Sequence, residues 1–203
     1  MTLHLTVSSD QRITFIGQTQ MGKTTLVSQL IEQQPRVWVV DSKEMLQWKG
    51  YHLTDNPMAV FLRDKVIFRP RGGQPPDWWW MEAVRRMHER GGGVVYLDEG
   101  SYITDANRIP KGLQDAIRLG AQIGVGVWVA AQESTTVHNT TLRQADMLIL
   151  FYNQGSSDRD KLSKVTGDMA HVTRNLPPYE FVVFKRGETY DHDAVPTYTL
   201  ERA

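Results

Sequence analysis

The sequence predicts an α/β fold built on a mostly parallel sheet, and three observations carry that expectation. Short apolar runs alternate with amphipathic segments along all 203 residues, the pattern of strands joined by crossover helices. Several of those runs are apolar almost without interruption, as strands covered on both faces must be. Apolar residues make up 40% of the chain, enough to bury a sizeable core. The length suits a single domain spanning 1–203, with 179–203 as a β extension of the same sheet.

The candidate strands are Ile13 to Ile16, Val37 to Val40, Val66 to Phe68, Val94 to Leu97, Val125 to Ala130, Met147 to Phe151 and Phe181 to Phe184. Between them, Lys23 to Gln33 carries Leu26, Leu30 and Ile31 at helical spacing. Asp77 to Arg90 places Trp80, Val84 and Met87 on one face, and Gly91, Gly92 and Gly93 stop it. Lys111 to Leu119 gathers Leu113, Ala116 and Ile117 on one side. Ser157 to Val165 reads as a short helix capped at Ser156 or Ser157. Pro70 to Pro76 is a loop by composition. After Tyr179 come a strand, a turn around Arg186 to Glu188 and a second β-prone run ending at Tyr198 to Leu200.

Composition also excludes function classes. Lys and Arg together number 23, as do Asp and Glu, so a nucleic-acid partner would have to be gripped by a local basic patch and not by a global field. There is no cysteine, hence no disulfide framework, thiol nucleophile or cysteine-ligated zinc. No run approaches the roughly 18 apolar residues of a membrane span, and Met1 to Arg12 lacks the layout of a signal peptide. The expectation is a soluble, unprocessed intracellular protein.

The first chemical motif follows the first strand. Gly17, Gln18, Thr19, Gln20, Met21, Gly22, Lys23 and Thr24 match G-x-x-x-x-G-K-[ST] in full, with Thr25 and a helical pattern behind them. The glycines let successive N–H groups face a phosphate, the new helix offers its positive end, Lys23 reaches the β and γ phosphates, and the Thr24 hydroxyl suits Mg²⁺. ATP with Mg²⁺ is therefore the expected ligand pair.

Val94 to Leu97 then ends in Asp98 and Glu99, the Walker B pattern. Asp98 would hold Mg²⁺ through its water shell and Glu99 would polarise the attacking water. The bland alternative makes Asp98 a helix cap and Glu99 a solvated carboxylate. The strand from Val125 ends at Gln132 and Glu133. Ligands sit at the carboxyl ends of such strands, which makes Gln132 the candidate γ-phosphate sensor, with loop capping as its plainer role.

Taken together, GQTQMGKTT, VVYLDEG and IGVGVWVAAQESTTVHNTTLRQADMLILFYNQGSSDRDKL resemble the FtsK/HerA superfamily of DNA-pumping P-loop ATPases. The resemblance covers roughly residues 12 to 165. It implies a three-layer P-loop NTPase of the additional-strand, RecA-like type, with the Walker A and Walker B strands separated by the strand ending at Gln132. One departure is Glu133, where the family often has arginine. A core of about 200 residues is similar to the genome-packaging ATPases of tailless, membrane-containing viruses with double-jelly-roll capsids.

That resemblance implies a homo-oligomeric ring of five or six subunits, with an arginine lent in trans to each γ phosphate. Arg118 and Arg143 are the candidates, with Arg108 behind them. It also implies double-stranded DNA held through its phosphates, with Arg108, Lys111 and the loop Arg69 to Gly73 as the basic surfaces. Capsid or membrane-vertex proteins are the further implied partners, and the host cytoplasm or the packaging vertex the implied location. The rivals are a small nucleotide or nucleoside kinase, which would need an arginine-rich lid not seen here, and a nucleotide-dependent assembly scaffold. Two side motifs complete the reading. No helix face can bury Trp78, Trp79 and Trp80 together, so at least one indole should be exposed or at an interface. Asp191-His192-Asp193 is a candidate metal site with a polar turn as its plainer reading.

Overall fold

The computed structural model describes residues 5–190 and 195–200. The Asp191-His192-Asp193 motif lies outside the described residues. Nine strands form one sheet: β1 (Ile13–Ile16), β2 (Val37–Val40), β3 (His52–Thr54), β4 (Lys65–Phe68), β5 (Gly93–Leu97), β6 (Val125–Ala131), β7 (Met147–Phe151), β8 (Glu180–Lys185) and β9 (Thr197–Thr199). Their order is β3-β4-β2-β5-β6-β1-β7-β8-β9. The pairings from β3 through β7 are parallel, and those of β8 and β9 antiparallel. β6 therefore lies between β1 and β5, the additional strand expected above.

The helices are α1 (Lys23–Glu32), α2 (Asp77–Glu89), α3 (Lys111–Leu119), α4 (Asn139–Gln144), α5 (Ser156–Thr166) and α6 (Met169–Val172). Strand alternation decides which layer each residue joins. Ile13 and Phe15 of β1, Val37 and Val39 of β2, and Val94 and Tyr96 of β5 pack with Leu26, Val27, Leu30 and Ile31 of α1. The alternate residues Trp38, Val40, Val95 and Leu97 turn to the other face, against Trp79, Trp80, Val84 and Met87 of α2 and Leu113, Ala116 and Ile117 of α3. Further along that face, Ile16, Leu148, Leu150 and Val182 meet Leu142, Leu162 and Met169 of α4, α5 and α6. Each fully buried large side chain contributes about 1.5–3 kcal/mol, which fixes both layers to the sheet.

The tryptophan triplet divides as helix geometry demands. Trp79 and Trp80 are buried, whereas Trp78 is 50% exposed. Trp79 stacks near Phe61 and Phe68 and donates its indole N–H to Pro57 O at 3.2 Å.

Three local features differ from the expectation. β3 is an edge strand of three residues with an exposed pattern, so it carries no apolar run to betray it. α5 is preceded by Gly155 with no side-chain cap bond, so neither Ser156 nor Ser157 is its cap. The carboxylate of Asp158 in its first turn instead accepts Thr135 N–H at 2.7 Å and Ser134 Oγ–H at 2.9 Å. α4 and α6 are too short and mixed to show a period.

Candidate nucleotide site

Because β1, β2, β5, β6 and β7 run parallel, the chain leaves all five on one edge, and the polar residues that follow them meet there. The loop after β1 is clamped on both sides: Gly17 N–H donates to Ala131 O at 3.2 Å and Gln18 N–H to Tyr152 O at 3.1 Å. A side chain at Gly17 would collide with Phe151, since a Cβ there would stand 2.5 Å from Phe151 Cβ. Gly22 sits at φ 102°, a left-handed conformation that glycine adopts without cost, and turns the chain directly into α1. The opening N–H groups of α1 have no intrahelical acceptor and point out of the helix end.

Lys23, the first residue of α1, folds back over this loop, donating to Gly17 O and, at 2.9 Å, to Gln18 O. Burial pulls its pKa down to about 8 against the opposing attraction of Glu99. Asp98 and Glu99 leave β5 on opposite sides. Asp98 continues the α1 side of the strand and accepts the Tyr96 hydroxyl at 2.9 Å. Burial raises its pKa, the Tyr96 hydrogen bond draws it back, and nearby Asp41 and Glu99 push it up again. Glu99 is only 4% exposed, and its Oε2 lies 2.9 Å from Lys43 Nζ. Its Oε1 accepts Ser101 Oγ–H at 2.8 Å and Gln132 N–H at 3.3 Å.

Thr19, Gln20, Gly22, Lys23, Thr24 and Thr25 line one cleft of about 200 Å³. Lys43, Asp98, Glu99, Ala130, Gln132 and Tyr179 close its other walls. The chain thus brings Gln132 and both carboxylates to the glycine loop. Thr24 and Asp98 share the cleft, a hard-oxygen pair that suits Mg²⁺ bound by few protein ligands together with phosphate and water. Among the described residues no group of three or more His, Cys, Asp or Glu could hold a metal.

Two members of the cleft were not expected from sequence. Lys43 follows the carboxyl end of β2, so the rule that drew attention to Gln132 would have found it. Tyr179 stands at φ 68° and donates its N–H to Met21 O at 3.0 Å; only folding brings it to the loop from far along the chain.

The arginines lie elsewhere. α3 runs into the amino end of β6 and α4 into the amino end of β7, so Arg118 and Arg143, each in a last helical turn, occupy the edge opposite the cleft. Neither meets its own chain's site. Arg108 and Lys111 stand on the cleft's edge, beside Tyr102 on the loop after β5. Arg69 is withdrawn from the proposed basic loop: its Nε lies 3.1 Å from the fully buried Asp41 carboxylate and its Nη2 donates to Leu46 O at 2.9 Å. A guanidinium committed to a buried carboxylate is costly to remove. Arg71 pairs with Asp55 in the open.

The glycine loop leading into a helix, the acidic pair after β5 and the strand inserted between them define the fold of a P-loop NTPase of the additional-strand type. No protein-family model and no curated protein matches the chain. Among solved structures it is similar to the genome packaging NTPase B204 from Sulfolobus turreted icosahedral virus 2 in complex with sulfate, with TM-score 0.80 and 15% identity over 97% of this chain and 100% of that one. B204 of Sulfolobus turreted icosahedral virus, a DNA-packaging ATPase, aligns with TM-score 0.74 and 18% identity over 97% of this chain and 100% of that one. The pCW3 conjugation coupling protein TcpA aligns with TM-score 0.58 and 11% identity over 94% of this chain and 60% of that one. These likenesses establish the shared fold.

Proposed function

We propose that the chain is an ATPase whose Mg²⁺-dependent hydrolysis drives double-stranded DNA, as the motor that packages a viral genome into a preformed capsid. One observation carries the hydrolytic part: Lys23 and Thr24 from the start of α1, Asp98 and Glu99 from the end of β5, and Gln132 from the end of β6 line a single cleft. In it the loop N–H groups and Lys23 bind the phosphates, Thr24 and Asp98 hold the metal, which supplies charge neutralisation when bound, Glu99 accepts a proton from water, and Gln132 contacts the γ phosphate. The similarity to packaging NTPases B204 supports the choice of DNA as the polymer.

The working form is a ring of five or six subunits. Arg118 and Arg143 serve a neighbour's cleft only if the amino edge of one subunit faces the carboxyl edge of the next, whereas Arg108 already shares the cleft's edge. DNA phosphates contact Arg108 and Lys111. The half-exposed Trp78 contacts a neighbouring subunit or a protein of the capsid or membrane vertex. No helix of the described residues is long and apolar enough to cross a membrane, and the motor works in the host cytoplasm or at the packaging vertex.

The test is phosphate release measured against protein concentration, with and without duplex DNA. A rate per subunit that rises with both is expected, and Lys23→Ala should abolish it. Phosphate passed to an added nucleotide would make the protein a kinase; tight ATP binding without turnover under any condition would make it a scaffold.

A further inference from the structure

The loop that carries Gln132 is gripped by α5. Gln132 and Glu133 join the end of β6 to a short 3₁₀ turn, Ser134–Thr136, and α5 holds that turn from both sides. Asp158, in the first turn of α5 and only 6% exposed, accepts Thr135 N–H on Oδ1 at 2.7 Å. The single proton of the fully buried Ser134 hydroxyl is shared between Asp158 Oδ1 at 2.9 Å and Asp158 O at 3.0 Å. One turn further along α5, Lys161 Nζ donates to Val137 O at 2.6 Å, and Val137 packs in one apolar cluster with Leu162. Before Gln132, the strand end is held by Gly17 N–H on Ala131 O at 3.2 Å. Gln132 is therefore strung between fixed points, with only Glu133 between it and the gripped turn. A carboxylate at the start of a helix ordinarily caps that helix, yet α5 has no side-chain cap, and Asp158 reaches across to the turn instead. Gly155 leaves it the room: a Cβ there would stand 2.7 Å from Asp158 Oδ2.

Resting on the ATPase reading above, we propose that Asp158 is a positioning residue: through the Ser134–Thr136 turn it fixes where the Gln132 side chain meets the γ phosphate. Hydrogen bonds to a carboxylate are shorter and stronger than neutral ones, and buried donors left without an acceptor are costly. The turn therefore keeps to the place that Asp158 gives it. Without the carboxylate, Thr135 N–H and the Ser134 hydroxyl must find other partners, and the shift of the turn carries Gln132 with it. A displacement of about 1 Å in a group that contacts the reacting atoms costs up to about 10²-fold in rate. Phosphate binding by the glycine loop does not pass through this turn, so the loss falls on turnover and not on affinity.

The experiment is a double-mutant cycle on phosphate release at saturating Mg²⁺-ATP with duplex DNA, with affinity for a β,γ-methylene ATP analogue measured on every variant. Asp158→Ala should lower kcat about 10- to 100-fold and leave analogue affinity within about threefold. Gly155→Ala should lower kcat in the same way: its backbone, at φ −67° and ψ 124°, suits alanine, and the added methyl displaces the Asp158 carboxylate. It takes the place of Asp158→Ala if that variant loses analogue binding. In the Gln132→Ala background either substitution should change kcat by less than about twofold, because the group being positioned is gone. An equal fall in both backgrounds, an unchanged kcat in the single variants, or analogue affinity lost in Gly155→Ala overturns the proposal and leaves the ATPase reading standing. A wild-type chain that releases no phosphate overturns both.

Discussion

The Tyr96 hydroxyl donates to Asp98 Oδ1 at 2.9 Å from two residues back along the same strand. Residues i and i+2 of a strand share a face, so the end of β5 carries its own donor for the carboxylate that would hold the metal. Tyr96→Phe should cost about 1.5–3 kcal/mol of stability, the net worth of a hydrogen bond to a charged group, and weaken Mg²⁺-dependent turnover. Urea unfolding and a Mg²⁺ titration of phosphate release would measure the two effects.

Asp98 and Lys23 give stability opposite pH slopes. Burial raises the Asp98 pKa, so the folded state binds more protons than the unfolded one and stability falls as pH rises from the ordinary carboxylate value to the raised one. Asp98→Asn should remove that loss and leave the protein more stable than wild type at neutral pH, though unable to hydrolyse ATP. Thermal midpoints across acid to neutral pH would show the two curves converging on the acid side.

Lys23 is lowered to about 8 by burial. Its folded pKa lies below the unfolded one, so a cost is present in full below about pH 8 and is relieved as pH climbs towards the unfolded value of 10.5. The nucleotide-free protein should therefore gain stability from this group over that window, on the order of 3 kcal/mol in all. Lys23→Met should flatten the slope and raise stability at pH 7. Unfolding by urea at a series of pH values is the measurement.

Glu99→Gln should reduce turnover by about 10²- to 10⁴-fold, the usual worth of a positioned general base, with nucleotide binding retained. Single-turnover phosphate release against nucleotide affinity separates the two.

The tryptophans offer a check on the packing. Trp79 is fully buried and Trp78 half exposed, so Trp79→Ala should cost about 3–5 kcal/mol while Trp78→Ala stays within about 0.5 kcal/mol. Denaturant midpoints would read both, and comparable losses at the two positions would contradict the division between core and surface.

Most of the sheet was legible because a parallel strand buried on both faces writes itself as an unbroken apolar run. MLILF of β7 and VWVV of β2 coincide with their strands for that reason. β3 was not, since an exposed edge strand of three residues has no such run. The residues of the glycine loop and the acidic pair were visible as motifs, each being contiguous in sequence. Lys43 was findable as a polar residue after a strand end, but its partner was not, because the carboxylate it pairs with stands 56 positions away, and Arg69 looked available because nothing beside it in sequence reveals the buried Asp41.

The amino-acid order by itself determined the layering and the chemical inventory: alternation of side chains sorts every strand residue to a face, and glycine, lysine, threonine and carboxylates stand at fixed positions after strands. Only the tertiary structure decided which of those groups share a cleft, which cations are already neutralised, and on which edge each arginine stands. The reason is physical. Strand and helix periods are set by neighbours a few bonds away, whereas electrostatic pairing depends on distances through space that the order of strands in the sheet alone creates.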